Sequence, residues 1–162
     1  MASLATSKRL IKELRALQKS PNKDLLHLAP QNEDDLSHWT ASFEGQSGTP
    51  FEHGIFHLKI HCPPAYPAMP PVVSFTTRVA HPNVQFKTGE ICLDILKERW
   101  SPAWTLGTAC TAVVQLLASP EPDSPLNIDL ANLLRSGDIL GYESLVRMYV
   151  EMYALPIVGG RS

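Results

Sequence analysis

The sequence predicts an α+β domain: a four-stranded antiparallel meander sheet, one helix before it and further helices after it. Three observations carry this. Apolar residues recur at helical spacing near the start and again over the last third of the chain. Between those regions lie four runs with strand character. Short polar or Gly/Pro-bearing links join successive runs, which suits antiparallel neighbours. Helix, sheet, helices is an α+β layer order. The chain shows no internal repeat and no second domain, so residues 1–162 read as one domain with a tail over about 155–162.

The first helix is expected over Leu4 to Lys19, with Leu10, Ile11, Leu14 and Leu17 as its buried stripe. Lys8, Arg9, Lys12, Arg15 and Lys19 fall largely on its other faces, as a solvated surface or a docking face for an acidic partner. Strand-like runs follow at Asp24–Pro30, Trp39–Phe43, Gly54–Cys62 and Val72–Thr76. In the second, Trp39, Ala41 and Phe43 alternate with Thr40 and Ser42; in the third, Phe56, Leu58, Ile60 and Cys62 alternate with Ile55, His57, Lys59 and His61. Pro63, Pro64, Pro67, Pro70 and Pro71 stiffen the link to the fourth run. Arg78 to Ala103 lacks strong periodicity and reads as a long irregular segment, the kind that carries function in compact domains. A second helix is expected over Thr105–Ala118, a third over Ile128–Arg135 and a fourth over Asp138–Ala154. Tyr142, Leu145, Val146, Tyr149, Met152 and Tyr153 mark the buried face of the fourth.

The bulk composition narrows the function. Apolar residues make up 44% of the 162 and charged residues 19%, the balance of a globular domain large enough to bury a core. A formal net charge of -2 gives no general pull toward nucleic acid or an anionic membrane. No apolar run approaches the roughly 20 residues of a membrane span. Met1 to Lys19 lacks the apolar core of a secretory signal, and the final Gly160-Arg161-Ser162 is not a Ser-Lys-Leu type address. A cytosolic chain, or one docked on an organelle from the cytosolic side, is expected. Cys62, Cys92 and Cys110 are too few and too scattered for a disulfide framework or a zinc site. His53, His57 and His61 recur every four residues, but along a strand that spacing is roughly 13 Å, too far for one ion to bridge neighbours. No metal and no cofactor is expected.

The stretch from His81-Pro82-Asn83 to Cys92-Leu93-Asp94 concentrates the chemistry. It sets one thiol after a turn signal, Thr88-Gly89, whereas Cys62 and Cys110 lie in strand-like and helical apolar runs and read as small core residues. A thiolate can both accept and release an acyl group. A cysteine hydrolase needs a paired base, and His81 is the near candidate; its place before Pro82 in a tight turn favours a loop-locking role. Without a base, the thiol must receive an already activated acyl group by thioester exchange. Asn83 can donate to the oxyanion formed as an acceptor attacks, or hold its own loop, and both roles are open. Asp94 can position an incoming amine or act as an ordinary loop cap.

The order of these motifs closely resembles the ubiquitin-conjugating enzymes. The resemblance covers about Leu10 to Ala154: the Tyr66-Pro67 to Pro70-Pro71 link, His81-Pro82-Asn83, Cys92, Trp100-Ser101-Pro102-Ala103, and Pro120 to Leu126. It implies that Cys92 takes ubiquitin from an activating enzyme, in an ATP-dependent pathway, and passes it on with a RING-type ligase. It implies activating-enzyme contacts at Lys8, Arg9 and Lys12, and a ligase surface at Ala68, Met69, Ser101, Pro102 and Ala103. It also implies a partner-binding outer sheet face, expected here to include Leu28 and His57. Two positions depart from the usual pattern: Ser124 stands where many members have Asp, and Ala80 where many have Tyr. Both weaken the environment that prepares an attacking lysine and leave room for a cysteine acceptor. The loop between Asn83 and Cys92, with Asp123-Ser124-Pro125-Leu126-Asn127, looks most like the peroxisomal branch. That likeness implies recruitment to the peroxisome by a membrane-anchored docking protein and modification of an import receptor. The alternatives are conjugation of another ubiquitin-like modifier, or a non-catalytic scaffold of the same fold.

Overall fold

The computed structural model describes residues 3–156. The part of the expected tail beyond Pro156 lies outside them. Helix α1 (Leu4–Lys19) opens on Ser3, whose hydroxyl accepts the Thr6 amide at 3.1 Å. Its buried positions are Thr6, Leu10 and Glu13, while Ile11, expected in the stripe, is exposed. Strands β1 (His27–Asn32), β2 (Asp35–Glu44), β3 (Ile55–His61) and β4 (Val72–Phe75) pair antiparallel in the order β1-β2-β3-β4. This is the expected meander.

Two strand starts differ from the sequence reading by more than one residue. β1 starts three residues later because the Asn22 side chain accepts the Asp24 amide at 2.8 Å and the Leu25 amide bonds back to the Asn22 carbonyl, bending Asn22–Leu25 into a turn. β2 starts four residues earlier, since the β1-β2 register continues out to the Asn32↔Asp35 pair.

The register sorts the two sheet faces. Leu28, Ala41, Leu58 and Phe75 form one cross-strand row, and its neighbour is Trp39, Ile60 and Val73; these rows face the core. His27, Ser42 and His57 form a row on the opposite face. Leu28 therefore does not share a face with His57. Its Cδ2 comes within 3.9 Å of the Cβ position of Gly107, on the helix side of the sheet. The expectation of a joint Leu28–His57 partner surface is corrected: His57 is exposed on the outer face, Leu28 packs against the core.

The segment expected to be irregular contains a helix, α2 (Leu93–Arg99), beginning directly after Cys92. Asp94 in its first turn and Lys97 and Arg99 in its last suit the helix dipole. Helix α3 (Leu106–Ala118), capped by Thr105, carries buried Leu106, Ala109, Cys110, Val113, Val114, Leu116 and Leu117 and forms the centre of the core with the inner sheet face. Helices α4 (Ile128–Arg135) and α5 (Ile139–Tyr153) close the domain, capped by Asn127 and Asp138. On α5, Tyr142 and Val146 are buried as expected, but Met152 and Tyr153 are exposed. Tyr153 instead stacks on Tyr149 at the surface, with rings 6.1 Å apart. No described helix is long and apolar enough to cross a membrane.

Candidate active site

The His81–Val84 turn is built by its own histidine. His81 is fully buried, its Nδ1 accepts the Asn83 amide at 3.0 Å and its Nε2–H donates to the Leu116 carbonyl of α3 at 2.8 Å. Burial pushes its pKa down to about 4, so the ring is neutral. With both ring nitrogens committed, His81 is not available as a base. Pro82 is buried in the same turn, and its carbonyl accepts the Leu126 and Asn127 amides at 2.8 and 2.9 Å.

Asn83 is also fully buried, and its carboxamide is consumed. Nδ2 donates to the Glu121 and Ser124 carbonyls at 2.7 and 2.8 Å, and Oδ1 accepts the Glu121 amide at 2.8 Å. The Asn83 side chain thus staples the segment 121–124 to the turn, the loop-holding role left open by the sequence. Its backbone carbonyl accepts the Cys92 amide at 2.9 Å. One residue therefore fixes both the thiol-bearing backbone and the loop that carries Ser124.

Cys92 is placed by a short zipper: Val84 bridges Ile91, Gln85 N–H donates to the Glu90 carbonyl, and Phe75 of β4 bonds Gly89. Gly89 needs its φ of 75°, and a Cβ there would sit 1.9 Å from the Phe75 carbonyl oxygen. Cys92 then occupies the N-cap of α2 and is 9% exposed, against 1% and 0% for Cys62 and Cys110. Burial pushes both of those thiols up to about 12, which suits the core role expected for them. Asp94 is exposed in the first turn of α2. Ser124 is half-buried, and its own amide bonds the Glu121 carbonyl at 3.2 Å.

Two arginines that the sequence reading missed hold the same loop. Arg99, at the end of α2, pairs with Glu121 at 2.7 Å; Arg135, at the end of α4, donates to the Pro122 carbonyl at 2.6 Å. No sequence spacing marks either contact. Beside the site, a groove of about 440 Å³ is walled by Phe86 and Lys87 on one side and by Leu126 and Ile128 on the other.

The remaining expected site residues fall into place unevenly. Ala68 and Met69 are exposed at the tip of the proline-rich link, as are Pro102 and Ala103 on the loop before α3, with Ser101 half-buried. The Trp100 indole N–H donates to the Pro67 carbonyl at 2.9 Å and draws these two segments together. Lys8 and Lys12 are exposed on α1. Arg9 is not free like them: its Nε pairs with Glu13 at 3.1 Å and its Nη2 donates to the Trp104 carbonyl at 2.6 Å. Among the described residues, no group of three or more His, Cys, Asp or Glu side chains is arranged to hold a metal ion.

The family profile described as "Ubiquitin-conjugating enzyme" matches residues 9–150. The chain is 49% identical to the protein PEROXIN-4 of Arabidopsis thaliana, over 96% of this chain and 99% of that one. It is 49% identical to the ubiquitin-conjugating enzyme E2 pex4 of Dictyostelium discoideum, over 90% and 97%. Its fold superposes with a TM-score of 0.84 on the H. polymorpha ubiquitin conjugating enzyme Pex4p, crystallised in complex with the soluble domain of Pex22p. That relative is 44% identical, and the match covers 93% of this chain and 99% of that one.

Proposed function

The chain belongs to the ubiquitin-conjugating enzyme family, and from that premise we propose that Cys92 accepts ubiquitin as a thioester and passes it to an acceptor presented by a RING-type ligase. The observation that carries this is the contrast among the three thiols: Cys62 and Cys110 are sealed in the core, while Cys92 keeps 9% of its surface exposed at the head of α2, its amide held by the Asn83 carbonyl. The Cys92 thiolate attacks the thioester carbonyl held by the activating enzyme, a new C–S bond forms, and the activating enzyme's sulfur leaves. Neither step uses a histidine base. Lys8 and Lys12 on α1 offer the cationic face for the activating enzyme, and Ala68, Met69, Ser101, Pro102 and Ala103 receive the ligase.

The peroxisomal names of the relatives support recruitment to the cytosolic face of the peroxisome. The complex of H. polymorpha Pex4p with the soluble domain of Pex22p supports a dedicated docking partner; a membrane-anchored one would hold the chain at the peroxisome. Ser124 supplies no carboxylate beside Cys92, which favours an import-receptor acceptor modified on cysteine over one modified on lysine.

The test is a charging reaction with activating enzyme, ATP and ubiquitin, resolved without reductant. A band that reductant removes, and that Cys92→Ala lacks, is expected. Cys92→Ser is expected to give a band that survives reductant, because its ester is not a thioester. A folded chain that charges with another ubiquitin-like modifier and not with ubiquitin refutes the cargo. One that charges with none refutes the transfer.

A further inference from the structure

We infer that Glu13 is a positioning residue for ligase engagement: its buried carboxylate sets the spacing between the 63–71 and 100–106 segments. This rests on the reading that those two segments receive the ligase.

Glu13 lies on the buried face of α1, one turn beyond Leu10, where an apolar residue would pack without a desolvation cost. Its carboxylate is met by donors from three parts of the chain. The Leu106 amide, at the start of α3, donates to Oε1 at 2.7 Å. The Tyr66 hydroxyl, from the proline-rich link, donates to Oε2 at 2.6 Å, and Arg9 Nε donates to the same oxygen at 3.1 Å. Arg9 carries the network on to the Trp104 carbonyl. Two turns back on α1, Thr6 Oγ1 lies 2.7 Å from both the Pro64 and the Tyr66 carbonyls and donates to one of them. From the other side, Trp100 bonds Pro67 and its ring lies 5.7 Å from that of Tyr66.

Both segments therefore share one carboxylate at their bases, beside the Thr6 and Trp100 bonds, while Ala68, Met69, Pro102 and Ala103 are exposed at their tips. A carboxylate is acceptor-only and matches three donors. A glutamine in its place turns one acceptor into an NH₂ that faces the Tyr66 hydroxyl and Arg9. Releasing those bonds lets the two tips drift apart without touching Cys92 or its turn.

The experiment compares Glu13→Gln and Tyr66→Phe with the unsubstituted chain. A purified RING-domain ligase that accelerates its discharge is titrated against the charged protein. The ligase concentration for half-maximal discharge is expected to rise about tenfold, the scale of one lost bond to a charged group. Charging and ligase-free discharge are expected to stay within about twofold, since Lys8 and Lys12 remain exposed on α1 and the Cys92 turn keeps its bonds. Hydrogen exchange at the Trp100 indole, read by NMR, is expected to accelerate in both variants. Unchanged indole exchange overturns the positioning role, and so does a parallel loss of ligase-free discharge. Faster exchange with an unchanged ligase titration instead overturns the assignment of the ligase surface. Tyr66→Phe keeps the carboxylate and two of its three donors, so it carries the same test if Glu13→Gln fails to fold.

Discussion

Replacing Asn83 with Ala separates two roles for this amide, chemistry at the thioester and support of the loop. The substitution deletes three hydrogen bonds, to Glu121 O, Ser124 O and Glu121 N–H. At about 1 kcal/mol net for each bond, the loss is about 3 kcal/mol. For a domain of this size that lowers Tm by about 6–12 °C. The Cys92–Asn83 backbone bond does not depend on the side chain, so charging should survive at temperatures where the variant is folded. Discharge should fall because segment 121–124 is no longer fixed beside the thiol. The assay pairs thermal unfolding with single-turnover discharge to free amine and free thiol. An unchanged Tm with discharge down a hundredfold or more would refute the reasoning, since oxyanion donors removed without structural loss cost about that much.

Three further outcomes follow from the site. His81 is held at about 4, below its ordinary 6.5, because burial disfavours the charged ring. Its contribution to stability is complete above pH 6.5 and is lost as the pH falls toward 4, roughly 3 kcal/mol in all. Urea midpoints between pH 7.5 and 5.5 should show the upper part of this slope, and a flat profile would contradict it; the depressed Asp35 and Glu52 carboxyls, with ordinary values of 3.8 and 4.5, act below that window. Gly89→Ala forces a positive φ on a side chain and drives its Cβ into the Phe75 carbonyl, so a loss above about 2 kcal/mol is expected; a Tm within about 2 °C of the original would show that the zipper is not needed. Ser124→Asp places a carboxylate on the loop beside Cys92 and should raise the ratio of free-lysine to free-cysteine discharge by roughly tenfold. An unchanged ratio would remove Ser124 from the account of acceptor choice.

Periodicity read the sheet and the long helices well because single faces carry them. Phe56, Leu58 and Ile60 alternate with His57 and Lys59 in β3 as their order indicates. It failed at α2, a helix too short for a repeating stripe and begun by Cys92 with no side-chain cap bond. It also failed for Leu28, because a period-2 pattern places a residue on a face only once its pairing is known, and that pairing is fixed by the Leu28↔Ala41 register. Glu13 left a signal that went unread: with Thr6 and Leu10 it falls on one helical face, and a carboxylate inside an apolar stripe implies buried donors. Cys92, His81 and Asn83 were legible as a motif, but the partners of the Asn83 amide were not. Glu121 lies 38 residues away and contributes backbone atoms, which carry no sequence signature.

The commitments of His81 and Asn83 shape how this site can work. A thiol without a base gains little from proton transfer, so its rate depends on where the acceptor is held. In the proposed transfer that placement is assigned to segment 120–125, which is anchored from three directions: Asn83, Arg99 and Arg135. The anchors are unequal. The Arg99–Glu121 pair is about half exposed on both sides and is worth less than about 1 kcal/mol. Arg135 is exposed as well, and its main contact is one carbonyl. Asn83 makes three bonds from a fully buried position, with its ring-bearing neighbour His81 pinned to α3. The loop's position is therefore inherited from the core through Asn83, and the arginines tune its outer edge. Asn83 holds Ser124 through its backbone carbonyl, so the side chain at 124 can change without removing that bond.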